Sequence, residues 1–303
     1  MQNGYCLKMP REVYSGEGAL DRIGPILKKY GAHRVAVFTD RGIAASGLLE
    51  LPMQKIRQAG VQAILLDDLP PEPTWGQAQK LVDGCRAAGA DFIVAVGGGS
   101  AIDTSKAIAI ILTNPEFGDV RSLEGASPTK NKSLPIIAVS TTSGTAAEVT
   151  INYVITDVEK NRKFVCADPH DIPVVAIVDP DMSMGMPKGL CASTGMDALT
   201  HAIEGYITKA AWELTDMMHL KAIEIIAKNL RQSVAGDPKA REEMSVGQYI
   251  AGMGFSNVGL GIVHSMAHPL SAMYDAPHGV ACATILPYVL EYNADATGDR
   301  YKQ

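Results

Sequence analysis

The sequence predicts an α/β domain with a mostly parallel sheet, followed by an all-α domain. Two observations lead to this prediction. Between about Val13 and Pro180, short β-branched and aliphatic runs alternate with helical patterns, which is the rhythm of βαβ units. After Pro187 strand signals nearly stop, and long apolar patterns with helical spacing replace them. We therefore expect a first domain at residues 1–185 and a second at residues 186–303.

Five apolar runs in the first domain are the expected strands. Consecutive positions are apolar in each run, so both faces of each strand should be buried, as in a parallel sheet covered by helices on two sides. Parallel strands direct their carboxyl ends to one edge, where such sheets bind ligands. The runs are RVAVFTD (34–40), VQAILLD (61–67), DFIVAVGGG (91–99), LPIIAVSTT (134–142) and VVAIVDP (174–180).

The second domain contains four long segments with helical spacing. The first is expected to begin at an N-cap formed by Ser193 or Thr194. A shorter helix with the sequence VHSMAH is expected to end near His268, because Pro269 disfavours α conformation in the residue before it. The long segments are STGMDALTHAIEGYIT, LTDMMHLKAIEIIAKNLRQSV, EEMSVGQYIAGMGFS and ACATILPYVLEYN.

Composition excludes several classes of protein. A chain of 303 residues with 47% hydrophobic and 20% charged residues is typical of a folded globular protein. Its net charge is −6 and it has no basic run, which argues against nucleic-acid binding. Apolar stretches are shorter than the ~20 residues of a membrane span and no signal-peptide pattern is present, so we expect a cytoplasmic protein without membrane contact. Five widely spaced cysteines without a CxxC pair argue against disulfides and thiolate zinc sites.

Three expected strands end in residues suited to a nucleotide. GGGS at 97–100 follows a strand and opens a helix, so a pyrophosphate could approach the backbone and bind the helix-start amides. This spacing matches neither GxGxxG nor the Walker loop, and a tight turn without a ligand is the alternative. TTSGT at 141–145 offers hydroxyls and amides to phosphate or ribose. Asp40 ends a third strand and could bind ribose hydroxyls and repel a 2′-phosphate, although a helix cap explains it equally well. Together the loops favour NAD over NADP.

Three of the seven histidines, His264, His268 and His278, lie within VHSMAHPLSAMYDAPHG. In another segment Asp197 and His201 are four residues apart, which places both on one helix face. A site of Asp197, His201, His264 and His278 would offer three imidazoles and one carboxylate, a set that suits a divalent ion such as Fe(II) or Zn(II), and raw affinity alone would favour Zn(II). Taken singly, each histidine is more often structural. We interpret the remaining ones as structural: His33, His170 and His219.

Five motifs, in this order, resemble the signatures of the iron-containing, group III alcohol dehydrogenases, and the resemblance extends over essentially the whole chain. It implies metal-assisted, NAD-linked interconversion of a small alcohol and an aldehyde in a cleft between a nucleotide-binding domain and a metal-binding helical domain. It also implies a homodimer whose N-terminal strands, here EVYSGEGAL, pair across subunits. The motifs are GGGSAIDTSKA, TTSGTAAEVTINYVITD, KFVCADPHDIP, GMDALTHAIEGYIT and GMGFSNVGLGIVHSMAHPLSAMYDAPHG.

The resemblance also implies roles for individual residues. The metal ligands it implies are Asp197, His201, His264 and His278. The residues that it implies for the pyrophosphate-binding loop are Gly97, Gly98, Gly99, Ser100 and Asp103. Asp40 matches the acid at the adenosine ribose, and the further cofactor contacts are Thr141, Thr142, Thr145 and Lys163. Asn152 matches a catalytic-site residue near the nicotinamide and substrate, and Phe255 and Leu260 are expected to narrow the pocket with it.

His268 is a metal ligand by spacing but not by resemblance. We interpret it instead as a catalytic residue, one helical turn from His264, that relays or orients the alcohol proton through ribose hydroxyls. A structural histidine behind the ligands is the alternative.

Two departures from the family's pattern are visible. The chain is expected to end early, at GDRYKQ, which would truncate the helical domain and expose ACATILPYVLEYN. A chain that binds metal and nucleotide with little or no turnover is therefore one alternative, and a glycerol-type dehydrogenase or a metal-dependent synthase or lyase of the same fold is another. A metallohydrolase is disfavoured because hydrolysis needs no dinucleotide loops. Glu72 replaces an asparagine of close relatives and is expected to alter an adenosine contact.

Overall fold

The computed structural model describes residues 4–69, 74–126 and 129–303. The chain divides into two compact units. The α/β unit comprises Pro10–Thr142 and Ala147–Gly185. The helical unit comprises Met186–Gln303, the short segment Ser143–Ala146 and the N-terminal segment that ends at Met9. The last two segments were expected in the first domain.

The α/β unit is built on a six-stranded sheet in the order β1-β9-β6-β4-β2-β3, and every neighbouring pair in it is parallel. This confirms the predicted α/β domain with a mostly parallel sheet. A second, three-stranded sheet has the order β5-β8-β7. The strands are β1 Glu12–Ser15, β2 Arg34–Asp40, β3 Gln62–Leu69, β4 Phe92–Gly97, β5 Gly125–Ala126, β6 Ile136–Ser140, β7 Asn152–Asp157, β8 Arg162–Ala167 and β9 Val175–Val178.

Helices cover both faces of the large sheet, which explains why its strands are apolar at consecutive positions. On β4, Ile93 and Ala95 pack into one core cluster with the helices at 75–88 and 99–113. Val94 and Val96, on the opposite face, pack into a second cluster with the helices at 23–30 and 50–58. The helices of this unit are α1 Ile23–Tyr30, α2 Arg41–Ser46, α3 Glu50–Gln58, α4 Trp75–Ala88 and α5 Gly99–Thr113.

One strand pair differs from the sequence prediction, and the expected N-terminal strand is present. β7 and β8 form an antiparallel hairpin that was not predicted, although buried residues alternate along both strands. Its turn includes Asn161 with a φ of 48°, in the left-handed region that asparagine tolerates. The stretch EVYS forms β1, which pairs with β9 of the same chain as an edge strand of the large sheet.

The helical unit contains five long helices, and this confirms the predicted all-α domain. They are α6 Lys188–Ile207, α7 Glu213–Ala235, α8 Pro238–Val258, α9 Ile262–Tyr274 and α10 His278–Thr297. Helices approach closely where glycine replaces a side chain. A Cβ at Gly205 or Gly254 would overlap the buried ring of His219 on α7. Among the described residues, no helix combines the length and the apolar character that a membrane crossing needs.

Two predicted helix boundaries are wrong. Helix α6 begins at Lys188, so Ser193 and Thr194 lie inside it, and their hydroxyls donate to the carbonyl of Leu190 instead of capping. Helix α9 continues through Pro269 to Tyr274. Proline removes one backbone hydrogen bond there, but Ser265, whose carbonyl loses that partner, is exposed, so water can replace the bond.

Candidate functional site

Three helices bring the predicted metal ligands together within the helical unit. Asp197 and His201 lie one turn apart on α6, His264 lies in the first turn of α9, and His278 is the first residue of α10. The start of α10 approaches α6 closely because Gly279 lies against the backbone of Ser193, where any Cβ would overlap the Ser193 carbonyl. A side chain at this glycine would therefore push His278 away from the other three residues.

The carboxylate of Asp197 is the centre of the group. Its Oδ1 lies 3.5 Å from Nε2 of His264, 3.5 Å from Nε2 of His278 and 3.9 Å from Nε2 of His201. The rings of His201 and His264 stack with their centroids 4.5 Å apart. The structure thus brings together all four residues that the sequence pattern singled out for a metal.

The buried polar atoms at this centre that have no hydrogen-bond partner among the described residues include Oδ1 of Asp197 and Nε2 of His264. Burying such atoms without a partner costs about 1–3 kcal/mol each, and more when the group is charged. A divalent cation would satisfy both atoms at once. A carboxylate and several imidazoles are also the donors that Fe(II) and Zn(II) accept. The residues present therefore fit a divalent ion of this type.

Electrostatics favour an ionised Asp197 carboxylate, with a neutral imidazole at His201 and a protonated one at His264. Burial alone would raise the pKa of Asp197, but the imidazoles of His201, His278 and His264 outweigh burial and lower it strongly. Burial lowers the pKa of His201 to about 4, so its imidazole is neutral near pH 7. For His264, burial is outweighed by the carboxylates of Asp197 and Glu204, which raise its pKa to about 9. A cation would take the place of that proton.

Sequence reasoning missed two residues of this centre. Glu204 on α6 accepts from the Val263 amide at 2.7 Å and lies 2.6 Å from Nδ1 of His264. This bond leaves Nε2 of His264 directed at Asp197, as expected for a carboxylate that orients a metal ligand. The second is Cys282, whose Sγ lies 3.7 Å from Nε2 of His278. Helical spacing was the available signal, because Glu204 is three residues after His201 and Cys282 is four after His278.

Two further predicted residues border the cluster. His268, half-buried on α9, has its ring 5.1 Å from that of His278 in a stacked arrangement and 6.1 Å from that of His264. Phe255 is buried and stacks on His201 with centroids 4.3 Å apart, so it supports a candidate ligand.

In the α/β unit, the ends of β4 and β6 are adjacent because Gly97 pairs with Ser140 in the sheet register. The Thr141 amide then donates to the Gly97 carbonyl at 3.0 Å. Helix α5 begins at Gly99 with Gly98 as its N-cap, so no side chain caps this helix start. A Cβ at Gly98 would lie 3.1 Å from Cγ2 of Thr142, which shows how closely the two loops approach. The structure therefore places both predicted nucleotide loops side by side.

Asp40 forms the helix cap that was the alternative to a ribose contact. Its Oδ1 accepts from the Ile43 amide at 2.9 Å at the start of α2. Its other oxygen, Oδ2, lies 3.9 Å from the position that a Cβ on Gly97 would occupy. One carboxylate oxygen thus caps the helix while the other lies near the glycine loop, so the two interpretations are compatible.

A buried lysine, missed by sequence reasoning, holds the segment that contains Asn152. Lys106 on α5 is fully buried. Its Nζ donates to the Thr150 carbonyl at 2.7 Å and to the Thr150 Oγ1 at 3.0 Å. It also donates to the Asn152 carbonyl at 2.8 Å. Asp103, on the same helix, accepts from the Val154 amide at 2.9 Å. Helix α5 therefore connects the glycine loop to the beginning of β7.

Three predicted residues remain. Lys163 is on β8, opposite Thr156 of β7. Thr145 belongs to the segment Ser143–Ala146, which is part of the helical unit. Glu72 lies outside the described residues.

Comparison with known proteins gives consistent matches over both units. The family model described as iron-containing alcohol dehydrogenase matches residues 10–180, and the model of the C-terminal region of that family matches residues 191–303. Lactaldehyde reductase of Escherichia coli strain K12 is 57% identical over 290 residues, which are 96% of this chain and 76% of that protein. The NAD-dependent methanol dehydrogenase of Bacillus methanolicus is 37% identical over 295 residues, 97% of this chain and 77% of that protein.

A solved structure gives the same result. The crystal structure of a 1,3-propanediol oxidoreductase superposes with a TM-score of 0.93 and is 40% identical; the match covers 97% of this chain and 77% of that one. Sequence motifs, fold and relatives agree. The chain belongs to the iron-containing alcohol dehydrogenase family.

Proposed function

We propose that this protein is an iron-dependent, NAD-linked oxidoreductase that interconverts lactaldehyde and propane-1,2-diol. The observation that carries the proposal is the group formed by Asp197 and three histidines, in which the unpartnered Oδ1 of Asp197 lies 3.5 Å from Nε2 of both His264 and His278. Family membership and 57% identity to a lactaldehyde reductase support the substrate.

Asp197, His201, His264 and His278 would hold the ion. A divalent cation bound there supplies Lewis acidity toward the substrate oxygen. The protein's own contribution is to keep Nε2 of His264 available, since Glu204 holds Nδ1 from behind. Burial of Asp197, His201 and His264 limits water near the centre. The donor set suits Fe(II), and Zn(II) is accepted by the same ligands.

The glycine loop would bind the pyrophosphate of NAD. The amides at the uncapped start of α5 are suited to an anion, and Gly98 keeps the backbone accessible. Asp40 would accept from the ribose hydroxyls with the oxygen that does not cap α2, and its charge would disfavour NADP. The further contacts proposed are Asp103, Thr141, Thr142, Thr145 and Lys163. Bound NAD accepts or donates the hydride.

His268 and Asn152 are proposed to act on the substrate. The ring of His268 borders those of His264 and His278, near where an alcohol proton must leave. Asn152 would position the substrate, and its backbone is anchored by the buried amine of Lys106.

We also propose a cytoplasmic homodimer. β1 is an edge strand, so its outer edge can pair with the same strand of a second copy. Free cysteines at Cys85, Cys166, Cys191 and Cys282 agree with a reducing compartment.

Formation of NADH from propane-1,2-diol tests the function. The protein is loaded anaerobically with Fe(II), and zinc-loaded and metal-free samples are assayed beside it, with 1,3-propanediol, glycerol and methanol as competing substrates. We expect metal-dependent NADH formation with propane-1,2-diol as the preferred alcohol. Absence of turnover with all alcohols, from a folded and metal-loaded protein, would contradict the proposal. Preference for 1,3-propanediol or glycerol would contradict only the substrate.

A further inference from the structure

Cys282 is a buried cysteine that belongs to the metal centre rather than to the hydrophobic packing alone. One donor atom each from Asp197, His264, His278 and Cys282 lies within 4.8 Å of the other three. Because Cys282 follows His278 by one helical turn on α10, the thiol and the imidazole are on the same face of that helix.

We propose that Cys282 is a sulfur ligand of the divalent ion, beside Asp197, His264 and His278. The inference deepens the proposed function and rests on the metal centre described there. The sequence analysis did not single it out, since the cysteine has no CxxC partner and its spacing of four residues from His278 was the one available signal.

The spacing of the donor atoms supports this assignment. Bonds of about 2.0–2.3 Å to a tetrahedral ion place neighbouring donor atoms roughly 3.3–3.8 Å apart. The Asp197 Oδ1 to His264 Nε2 and Asp197 Oδ1 to His278 Nε2 distances are both 3.5 Å, and the His278 Nε2 to Cys282 Sγ distance is 3.7 Å. These three distances fall within that range, and the 3.9 Å from Asp197 to His201 lies close to it, so His201 stays a proposed ligand beside the sulfur. The sulfur is near enough to share one ion with Asp197, His264 and His278.

A simpler explanation is that the thiol only donates a weak hydrogen bond to Nε2 of His278. That nitrogen is the atom with which His278 faces Asp197 and would bind the ion. Once Nε2 is bonded to a cation it no longer accepts, and the Asp197 carboxylate is then the acceptor within reach of the thiol. A thiolate bound to the ion and a thiol that donates to Asp197 are therefore the two alternatives that the cobalt experiment distinguishes. As the sulfur–metal bond forms the S–H bond breaks, and the proton is released to solvent.

A thiolate in the centre changes which ions it prefers. Sulfur ligands favour ions such as Zn(II) and Co(II), while Mn(II) and Mg(II) prefer oxygen ligands. We therefore expect this chain to discriminate against the harder ions more strongly than a variant that has no sulfur at position 282.

Cobalt substitution tests the assignment without an activity measurement. Co(II) is added to the metal-free protein, and visible d–d bands report occupancy while a near-ultraviolet thiolate-to-Co(II) charge-transfer band reports a sulfur ligand. Cys282→Ser is compared with Cys191→Ser, a matched control on α6 whose buried Sγ lies 3.2 Å from the hydroxyl of Ser233. Circular dichroism confirms that each variant is folded.

We expect both bands in the unaltered protein and in Cys191→Ser, and only d–d bands in Cys282→Ser. The preference for Zn(II) over Mn(II) in competition should fall at least about tenfold in Cys282→Ser. Cobalt d–d bands without charge transfer in the unaltered protein would overturn the sulfur ligand and leave the proposed function intact. This outcome needs no variant, so a misfolded Cys282→Ser cannot obscure it. Absence of all cobalt bands would overturn both the ligand and the metal centre.

Discussion

Nδ1 of His264 lies 2.6 Å from Oε2 of Glu204, and both side chains are buried. The second carboxylate oxygen of Glu204 accepts from the Val263 amide, so the glutamate is held by the same helix start that carries the histidine. The pair fixes both the ring orientation of His264 and the nitrogen that it offers to a metal.

Glu204→Gln should therefore weaken metal binding. The glutamine keeps the size and an oxygen for the Val263 amide, but it removes the charge that stabilises Nδ1–H of His264. We expect metal affinity to fall by about 10- to 100-fold. Retention of the ion against graded chelator, measured by elemental analysis, gives the comparison. Glu224→Gln, at an exposed position on α7, is the control, and equal retention in both variants would mean that Glu204 does not orient the ligand.

Asp40→Ser separates the two roles of Asp40. Serine can still cap α2 at the Ile43 amide, but it has no charge to repel a 2′-phosphate. We expect kcat/KM for NADP relative to NAD to rise while the free energy of unfolding stays near that of the unaltered protein. Asp40→Ala, which loses the cap as well, should lower the free energy of unfolding by about 1 kcal/mol. An unchanged cofactor ratio in Asp40→Ser would leave only the capping role.

His268 has a test that distinguishes proton transfer from structural support. If it relays the alcohol proton, His268→Ala should lower kcat and remove one ionisation from the pH profile of kcat, with metal content unchanged. If it only supports His278 by ring stacking, the substitution should lower metal content and leave the profile as it was. His268→Gln, which keeps a polar side chain, should follow His268→Ala in the first case. An unchanged rate and profile would exclude the relay.

The sequence was sufficient for five of the six strands of the large sheet, and it selected the four candidate ligands that the structure brings together, because both depend on recognisable patterns. Apolar runs predict buried parallel strands, and i, i+4 spacing with a family resemblance predicts residues such as Asp197 and His264. Glu204 and Lys106 were missed because their roles depend on which backbone atoms other elements place beside them. The predicted helix boundaries at Thr194 and Pro269 were wrong for a similar reason, because packing and access to water override the local preference of the sequence.

His219 predicts a specific acid sensitivity of the helical unit. Its ring is fully buried between Gly205 and Gly254, and neither ring nitrogen has a hydrogen-bond partner among the described residues. Burial, with a smaller contribution from Arg300, lowers its pKa to about 4, from an ordinary value of 6.5. The unfolded chain therefore binds a proton between pH 6.5 and 4 that the folded chain excludes. The stability that this residue provides is complete above pH 6.5 and decreases as the pH falls toward 4.

Between pH 7.5 and pH 5 this difference should cost about 2 kcal/mol of the free energy of unfolding. His219→Leu, which cannot titrate, should lose about 2 kcal/mol less than the unaltered protein over the same interval, even if its stability at pH 7.5 is lower. Denaturant unfolding of metal-loaded protein at both pH values measures this, since the bound ion prevents protonation of its own ligands. Equal losses in the two proteins would mean that His219 is protonated, or reaches water, in the folded state.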